Sequence, residues 1–230
     1  MSHQKQILPI ALGIFLLSAC ATDDPNRRAK TGAAIGAVTG AVIGNQSSSK
    51  NGKYVGAVIG ALSGAAVGNY MDKQQRQLER DLALERRKQQ ISVVRIDEET
   101  LRLDINSEAS FDINSATLSN SFQSSLNTMA EIIGEFDKTA VHIIGHTDST
   151  GSKQYNQTLS QRRARSVATH FAQHGVFQKR LRTTGRGENS PRFDNSTNYG
   201  RRMNRRVEIY LKTITKGREA EAFRTPHPAS

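Results

Sequence analysis

The sequence predicts an α/β sandwich, with helices packed on one sheet, behind a helical hairpin built on glycine. Three patterns predict it. Apolar residues alternate at Leu101, Leu103 and Ile105 and again at Val207, Ile209 and Leu211, the period of a half-buried strand. Between them Leu118, Phe122, Leu126, Met129, Ile133 and Phe136 follow the spacing of an amphipathic helix. Further upstream, glycine recurs at every fourth position from Gly32 to Gly44 and from Gly56 to Gly68.

The chain opens on an address. Lys5 precedes an apolar run from Ile7 to Leu17, broken only by Pro9 and Gly13, and Leu17-Ser18-Ala19-Cys20 closes it. That run is too short to span a bilayer but suits a signal peptide over residues 1–19. Cys20 is the only cysteine, so no intrachain disulfide forms. A cysteine directly after such a leader resembles the lipobox of bacterial lipoproteins. The resemblance implies cleavage before Cys20, diacylglycerol on its sulfur and an acyl group on the new amine. Two or more acyl chains anchor a protein stably where one binds marginally. In that class aspartate after the cysteine retains the protein in the inner membrane; Ala21 here implies the outer membrane, with the domain facing the periplasm.

Residues 20–30 form a linker, and residues 31–70 the hairpin. Residues four apart share one side of a helix, so each block carries a groove that another backbone can approach. Asn45 to Lys53 is the polar connector. Each glycine costs about 1 kcal/mol of helix propensity against alanine, so these helices need lipid or partners. A membrane-inserted or self-associating hairpin, able to form a homo-oligomer through the zipper, is the favoured reading; a flexible Gly/Ala spacer is the alternative, which the kept phase argues against. Residues 71–90 read as a polar, solvated connecting helix on which Leu78, Leu82 and Glu85 share a face.

A domain over residues 91–213 follows. Ile91 to Ile96 pairs with Leu101 to Ile105 through Asp97-Glu-Glu-Thr100; a helix spans Thr117 to Asp137, and Ala140 to His146 is a buried strand. A second helix runs from Asn156 to His174, stopped by Gly175, before a short strand at Leu181 to Arg186 and the last at Val207 to Leu211. The tail, 214–230, reads as disordered.

The chemistry gathers after the central strand, at Gly145-His146-Thr147-Asp148-Ser149-Thr150-Gly151. A strand end and the first turns of the next helix are neighbours in a βα unit, so Asp148 and Arg163 can converge. A carboxylate takes an ammonium and a guanidinium takes a carboxylate, so the pair suits a zwitterion. An internal Asp–Arg salt bridge holding the loop is the alternative on chemistry alone.

Gly145-His-Thr-Asp148, Gly151, Asn156, Leu159-Ser160, Arg163-Ala164, Gly185-x-Gly187-Glu188, Pro191 and Asn204-Arg-Arg-Val-Glu-Ile209 together resemble the OmpA-like peptidoglycan-binding domain. That domain also occurs in the peptidoglycan-associated lipoprotein and in flagellar stator proteins. The match covers residues 101 to 212; with the lipobox and glycine ladder the whole chain is similar to the YiaD type of lipoprotein. The resemblance implies one mixed sheet, and a non-covalent grip on the diaminopimelate of uncrosslinked stem peptides, tethering the outer membrane to the wall. It implies Asp148 and Arg163 as the main ligand pair, Thr147 and Asn156 lining the pocket, and Phe111 and Asp112 closing it. Arg205 and Arg206 would frame the pocket structurally. A chaperone-like or assembly role carried by the hairpin is the runner-up.

The charge of +11, from 32 Lys+Arg against 21 Asp+Glu, suits an anionic partner. Export and the lack of a basic stripe interleaved with aromatics argue against nucleic acid. No enzyme is expected: no nucleophile or second carboxylate accompanies His146 and Asp148. No cofactor or metal is expected either, although His170 and His174 stand four apart on a helix.

Overall fold

The computed structural model describes residues 61–112 and 114–227. Cys20, the leader, the first glycine block and most of the second lie outside them. Five strands form one mixed sheet: β1 (Ile91–Asp97), β2 (Thr100–Asn106), β3 (Thr139–Gly145), β4 (Leu181–Gly185) and β5 (Arg206–Thr213). Their order is β1-β2-β5-β3-β4, every neighbouring pair antiparallel except β3 with β4. The hairpin joining β1 and β2 turns at Glu98 and Glu99, as the sequence predicts.

Register follows the apolar alternation. Leu101 stands opposite Leu211, Leu103 opposite Ile209 and Ile105 opposite Val207, while Val141 and Ile143 complete the same rows from β3. A one-residue slip would turn each of these out of the core. They pack beneath three helices: α1 (Gly64–Asp81), α4 (Gln123–Glu135) and α5 (Lys153–Gln173). Shorter helices are α2 (Ala83–Arg87), α3 (Ser107–Ser110), α6 (Asn198–Asn204) and α7 (Glu219–Ala222).

Three expectations need correcting. The helix read from Thr117 begins properly at Gln123, after a 3₁₀ turn at Asn120–Phe122, and Leu118 instead bridges to Phe111 in the preceding loop. The solvated connecting helix over 71–90 is not solvated on every side: α1 runs unbroken from the last glycines, and Val67, Met71, Gln74, Leu78 and the following Leu82 are buried. Glu85 still shares that face, accepting a hydrogen bond from Ser125 Oγ at 2.8 Å. The tail is ordered through residue 227. Ile214 and Ala222 are buried, Leu62 bridges Thr215, and the Ala222 carbonyl lies 2.7 Å from His142 Nε2.

The site needs the far end of β3 held against α5, and two glycines allow it. A Cβ on Gly145 would lie 2.1 Å from the Ser160 carbonyl oxygen, and one on Gly185 2.5 Å from the Gln161 amide nitrogen. No side chain fits at either strand end. Arg180 secures the opposite end of the layer. Its buried guanidinium donates to the carbonyls of Thr139 (2.7 Å), Ile133 (2.9 Å) and Phe136 (2.7 Å) and to Thr139 Oγ1 (2.9 Å). It thereby satisfies carbonyls at the C-terminal end of α4 that the helix leaves open. Arg180→Ala strands those buried acceptors and should lower stability by about 2–4 kcal/mol, read as a reduced midpoint in urea unfolding; Arg180→Lys should recover only part of it.

Candidate functional site

β3 delivers the site residues by its backbone. Beyond Gly145, the His146 amide donates to the Arg206 carbonyl at 2.9 Å and the Thr147 amide to the Gly187 carbonyl at 2.9 Å. The chain is thus clamped between the root of β5 and the loop after β4 where Asp148 emerges. The Thr150 amide donates to Asp148 Oδ1 at 2.8 Å, fixing the turn. Ser152 then caps α5 by accepting from the Tyr155 amide. One turn on, Asn156 Nδ2 donates to the Asp148 carbonyl at 3.2 Å and to Glu188 Oε2 at 2.6 Å, so α5, β3 and the loop after β4 are tied at one residue.

Arg163 lies two turns further along α5, 5% exposed. Its Nε donates to the Ser115 carbonyl at 2.9 Å and its guanidinium sits 5.1 Å from the centre of the Phe111 ring. The loop carrying Phe111 and Asp112 is held by the bridge from Phe111 to Leu118 and by the Asp112 carbonyl accepting from the Ser115 amide at 3.1 Å. Phe111 is buried, whereas the Asp112 side chain is exposed. Thr147, Asp148, Asn156, Arg163 and Phe111 are all buried around this strand end, and the Thr147 hydroxyl has no partner among the described residues.

The expected ion pair is different. Asp148 Oδ2 is bound at 2.5 Å by Arg205 Nη1, and Arg205 also pairs with Glu108. Asp148 and Arg163 share no salt bridge among the described residues; Arg163 senses Asp148 only through space. Asp148 is thus held in an internal salt bridge, with Arg205 and not Arg163. Burial works to raise the Asp148 carboxyl, but the Arg205 guanidinium and the Thr150 hydrogen bonds outweigh it and hold it below the ordinary range. Burial pulls the Arg163 guanidinium down from its usual value, and the nearby Asp148 and Tyr155 oppose that.

Arg205 was the residue sequence reasoning undervalued. The Asn204-Arg-Arg motif signalled it, but the partner lies 57 residues away and the doublet read as framing. Arg206 points elsewhere, into a buried charge network. It joins Arg192 on buried Glu208, each 2.6 Å from Oε1, and Tyr210 donates to Oε2 at 2.9 Å. Burial tends to raise the Glu208 carboxyl; the His146 ring and the two guanidiniums overcome this and keep it far below its ordinary value. His146, buried and lowered by desolvation, belongs to this network rather than to the surface site. His170 and His174 stack at 4.1 Å between ring centres, with His170 Nε2 2.8 Å from Asn127 Oδ1.

Comparison with known proteins agrees with this architecture. Residues 110–205 match the model of the OmpA family and residues 1–72 that of the YMGG-like Gly-zipper. The probable lipoprotein YiaD of Escherichia coli is 40% identical over 217 residues, which cover 90% of this chain and 97% of that one. This chain belongs to the YiaD family of OmpA-domain lipoproteins. Within that family setting, the outer-membrane lipoprotein YfiB of Pseudomonas aeruginosa is 36% identical over 107 residues, 46% of this chain and 64% of that one. A solved structure described as the cell wall anchor of the T6SS from Pseudomonas aeruginosa aligns with a TM-score of 0.55 and 29% identity, over 60% of this chain and 99% of that chain. Relatives named as outer-membrane proteins include YfiB and the outer membrane protein A of Bordetella avium; among the described residues no helix is long and apolar enough to cross a membrane.

Because the folded-state carboxyl of Asp148 lies below its unfolded value, its contribution to stability is present above the unfolded pKa and fades as pH falls through the folded one. Arg205→Gln removes the main counter-charge while burial remains. The Asp148 carboxyl should then titrate at higher pH by carbon-13 NMR, and its share of the acid limb of the melting curve should shrink or reverse.

Proposed function

We propose that this domain grips diaminopimelate-containing peptidoglycan non-covalently and tethers the outer membrane to the wall, with Asp148 taking the ligand's ammonium and Arg163 its carboxylate. The contrast between two buried arginines carries the reading. Arg180 makes four hydrogen bonds, and each of its three nitrogens is bonded. Arg163, 5% exposed against 2% for Arg180, makes one, through Nε, and its two terminal nitrogens have no hydrogen-bond partner among the described residues. A largely buried guanidinium whose planar fork is left open suits a carboxylate that arrives from outside. The unpartnered Thr147 hydroxyl and the Asn156 amide offer further polar contacts, Phe111 lies against the Arg163 guanidinium, and Asp112 is exposed beside it.

The ligand's ammonium competes with Arg205 for Asp148, so binding exchanges one charge-assisted hydrogen bond for another rather than neutralising a bare carboxylate. This gives selectivity: a carboxylate-only ligand satisfies Arg163 but cannot displace Arg205. The placement of the ends supports a tether. Leu62, where the chain arrives from the anchor side, hydrogen-bonds to Ile214 beside the start of β3, while Asp148 follows the end of β3. The seven residues of that strand set the two apart by about 20 Å. Acylation of Cys20 supplies the membrane end, and the glycine zipper supplies self-association between the two. The likeness to a structure described as a cell wall anchor supports the same assignment.

The test uses the full chain in detergent, cosedimented with isolated diaminopimelate-type sacculi. Wild type should pellet, and Asp148→Ala and Arg163→Ala should each weaken binding by about tenfold or more while melting within a few degrees of wild type. Free meso-diaminopimelate should compete the wild type off. Equal binding by all three folded proteins would mean that bulk positive charge, not this site, holds the wall.

A further inference from the structure

A cavity opens at the same end of the sheet, on the face the three long helices do not cover. It encloses about 1020 Å³ between the turn after α2, the ends of β2 and β5, and the segment leading into α6. Arg205 lines it and at the same time holds Asp148, so the cavity adjoins the site proposed above. Its wall is cationic and aromatic. Arg102 and Arg192 are committed to Asp104, but the Lys88 ammonium has no hydrogen-bond or ion-pair partner among the described residues. Arg202 likewise has no ion-pair partner among them and lies 5.7 Å from the centre of the Tyr199 ring. Tyr199 and Phe193 meet edge to face at 5.8 Å and are 56% and 40% exposed. Exposed aromatic rings beside uncommitted cations, in a concave wall, form a surface made to be covered.

We propose that this cavity is a second binding site that takes a carboxylate-bearing peptide: the part of a stem peptide that continues from the residue held by Asp148 and Arg163. The inference rests on the reading above for its first point of attachment. Charge complementarity selects the occupant. Lys88 and Arg202 offer positive charge, which suits peptide carboxylates and leaves a neutral glycan strand unrewarded. The edge of the Phe193–Tyr199 pair offers the apolar contact that alanine methyl groups can use. Arg205 is common to both sites. A ligand ammonium that displaces it from Asp148 leaves its guanidinium in the cavity wall, where a carboxylate can receive it.

The experiment measures calorimetric affinity of the full chain in detergent for three probes: meso-diaminopimelate alone, the tripeptide L-Ala-γ-D-Glu-meso-diaminopimelate, and the same tripeptide with its glutamate carboxylate amidated. The acid tripeptide should bind about five- to tenfold tighter than diaminopimelate, as expected for one or two partly exposed ion pairs. Amidation should remove most of that gain. Lys88→Gln with Arg202→Gln should remove it too, while affinity for diaminopimelate alone stays unchanged. Both substitutions are on the surface, and an unaltered melting curve excludes misfolding. The proposal is overturned if the double variant keeps the full gain, if amidation changes nothing, or if a gain appears only when the disaccharide is attached, which assigns the cavity to glycan. If diaminopimelate fails to bind but the acid tripeptide binds in a Lys88- and Arg202-dependent way, the first site is wrong and the cavity stands.

Discussion

The close approach of β3 to α5 is the constraint from which the site follows. Gly145 lies against the Ser160 carbonyl with no room for a side chain, and Gly185 repeats the contact on the adjacent parallel strand. Because both strand ends touch the helix backbone, the turn between them is short and Asp148, Asn156 and Arg163 occupy successive levels of one wall. A larger residue at Gly145 would push the helix away and widen every distance in the site. The interior is close-packed, so it has no slack to absorb the shift.

Electrostatics explains why the site can be both buried and open to exchange. The sheet's other face holds a complete set of charges around Glu208, each cation with a carboxylate and each carboxylate with cations. That set is rigid, since removing one member would leave the others uncompensated in a low-dielectric interior. At the strand end the balance is looser. Arg205 divides itself between Asp148 and the more exposed Glu108, and Arg163 keeps unused donors. Fixed charges below and exchangeable ones above fit the proposed binding, in which the domain holds its shape while a ligand comes and goes.

Much of this was legible in the sequence because periodicity and turn residues are local. The alternating rows of β2 and β5 and the stripe of α4 gave the layers, and Gly145-His-Thr-Asp148 marked the strand end. What escaped was long-range or sparse. The buried face of α1 is Val67, Met71, Gln74 and Leu78, correctly spaced for a helix, but Gln74 interrupts it and the surrounding residues are charged, so the stripe reads as polar. The segment after β5 carries few apolar anchors, Ile214 and Ala222 among them, too few to show in composition though enough to dock it. Arg205 pairs with a residue far back in the chain, and no local pattern reports such a bond.

The central claim is that Asp148 and Arg163 read a zwitterion together, with Arg205 giving way. A crystal structure of the meso-diaminopimelate complex tests it most directly. The account predicts a ligand ammonium within hydrogen-bonding distance of the Asp148 carboxylate, a ligand carboxylate on the terminal nitrogens of Arg163, and Arg205 turned off Asp148. Ligand density elsewhere, with Arg205 still seated on Asp148 and Arg163 unchanged, would contradict it.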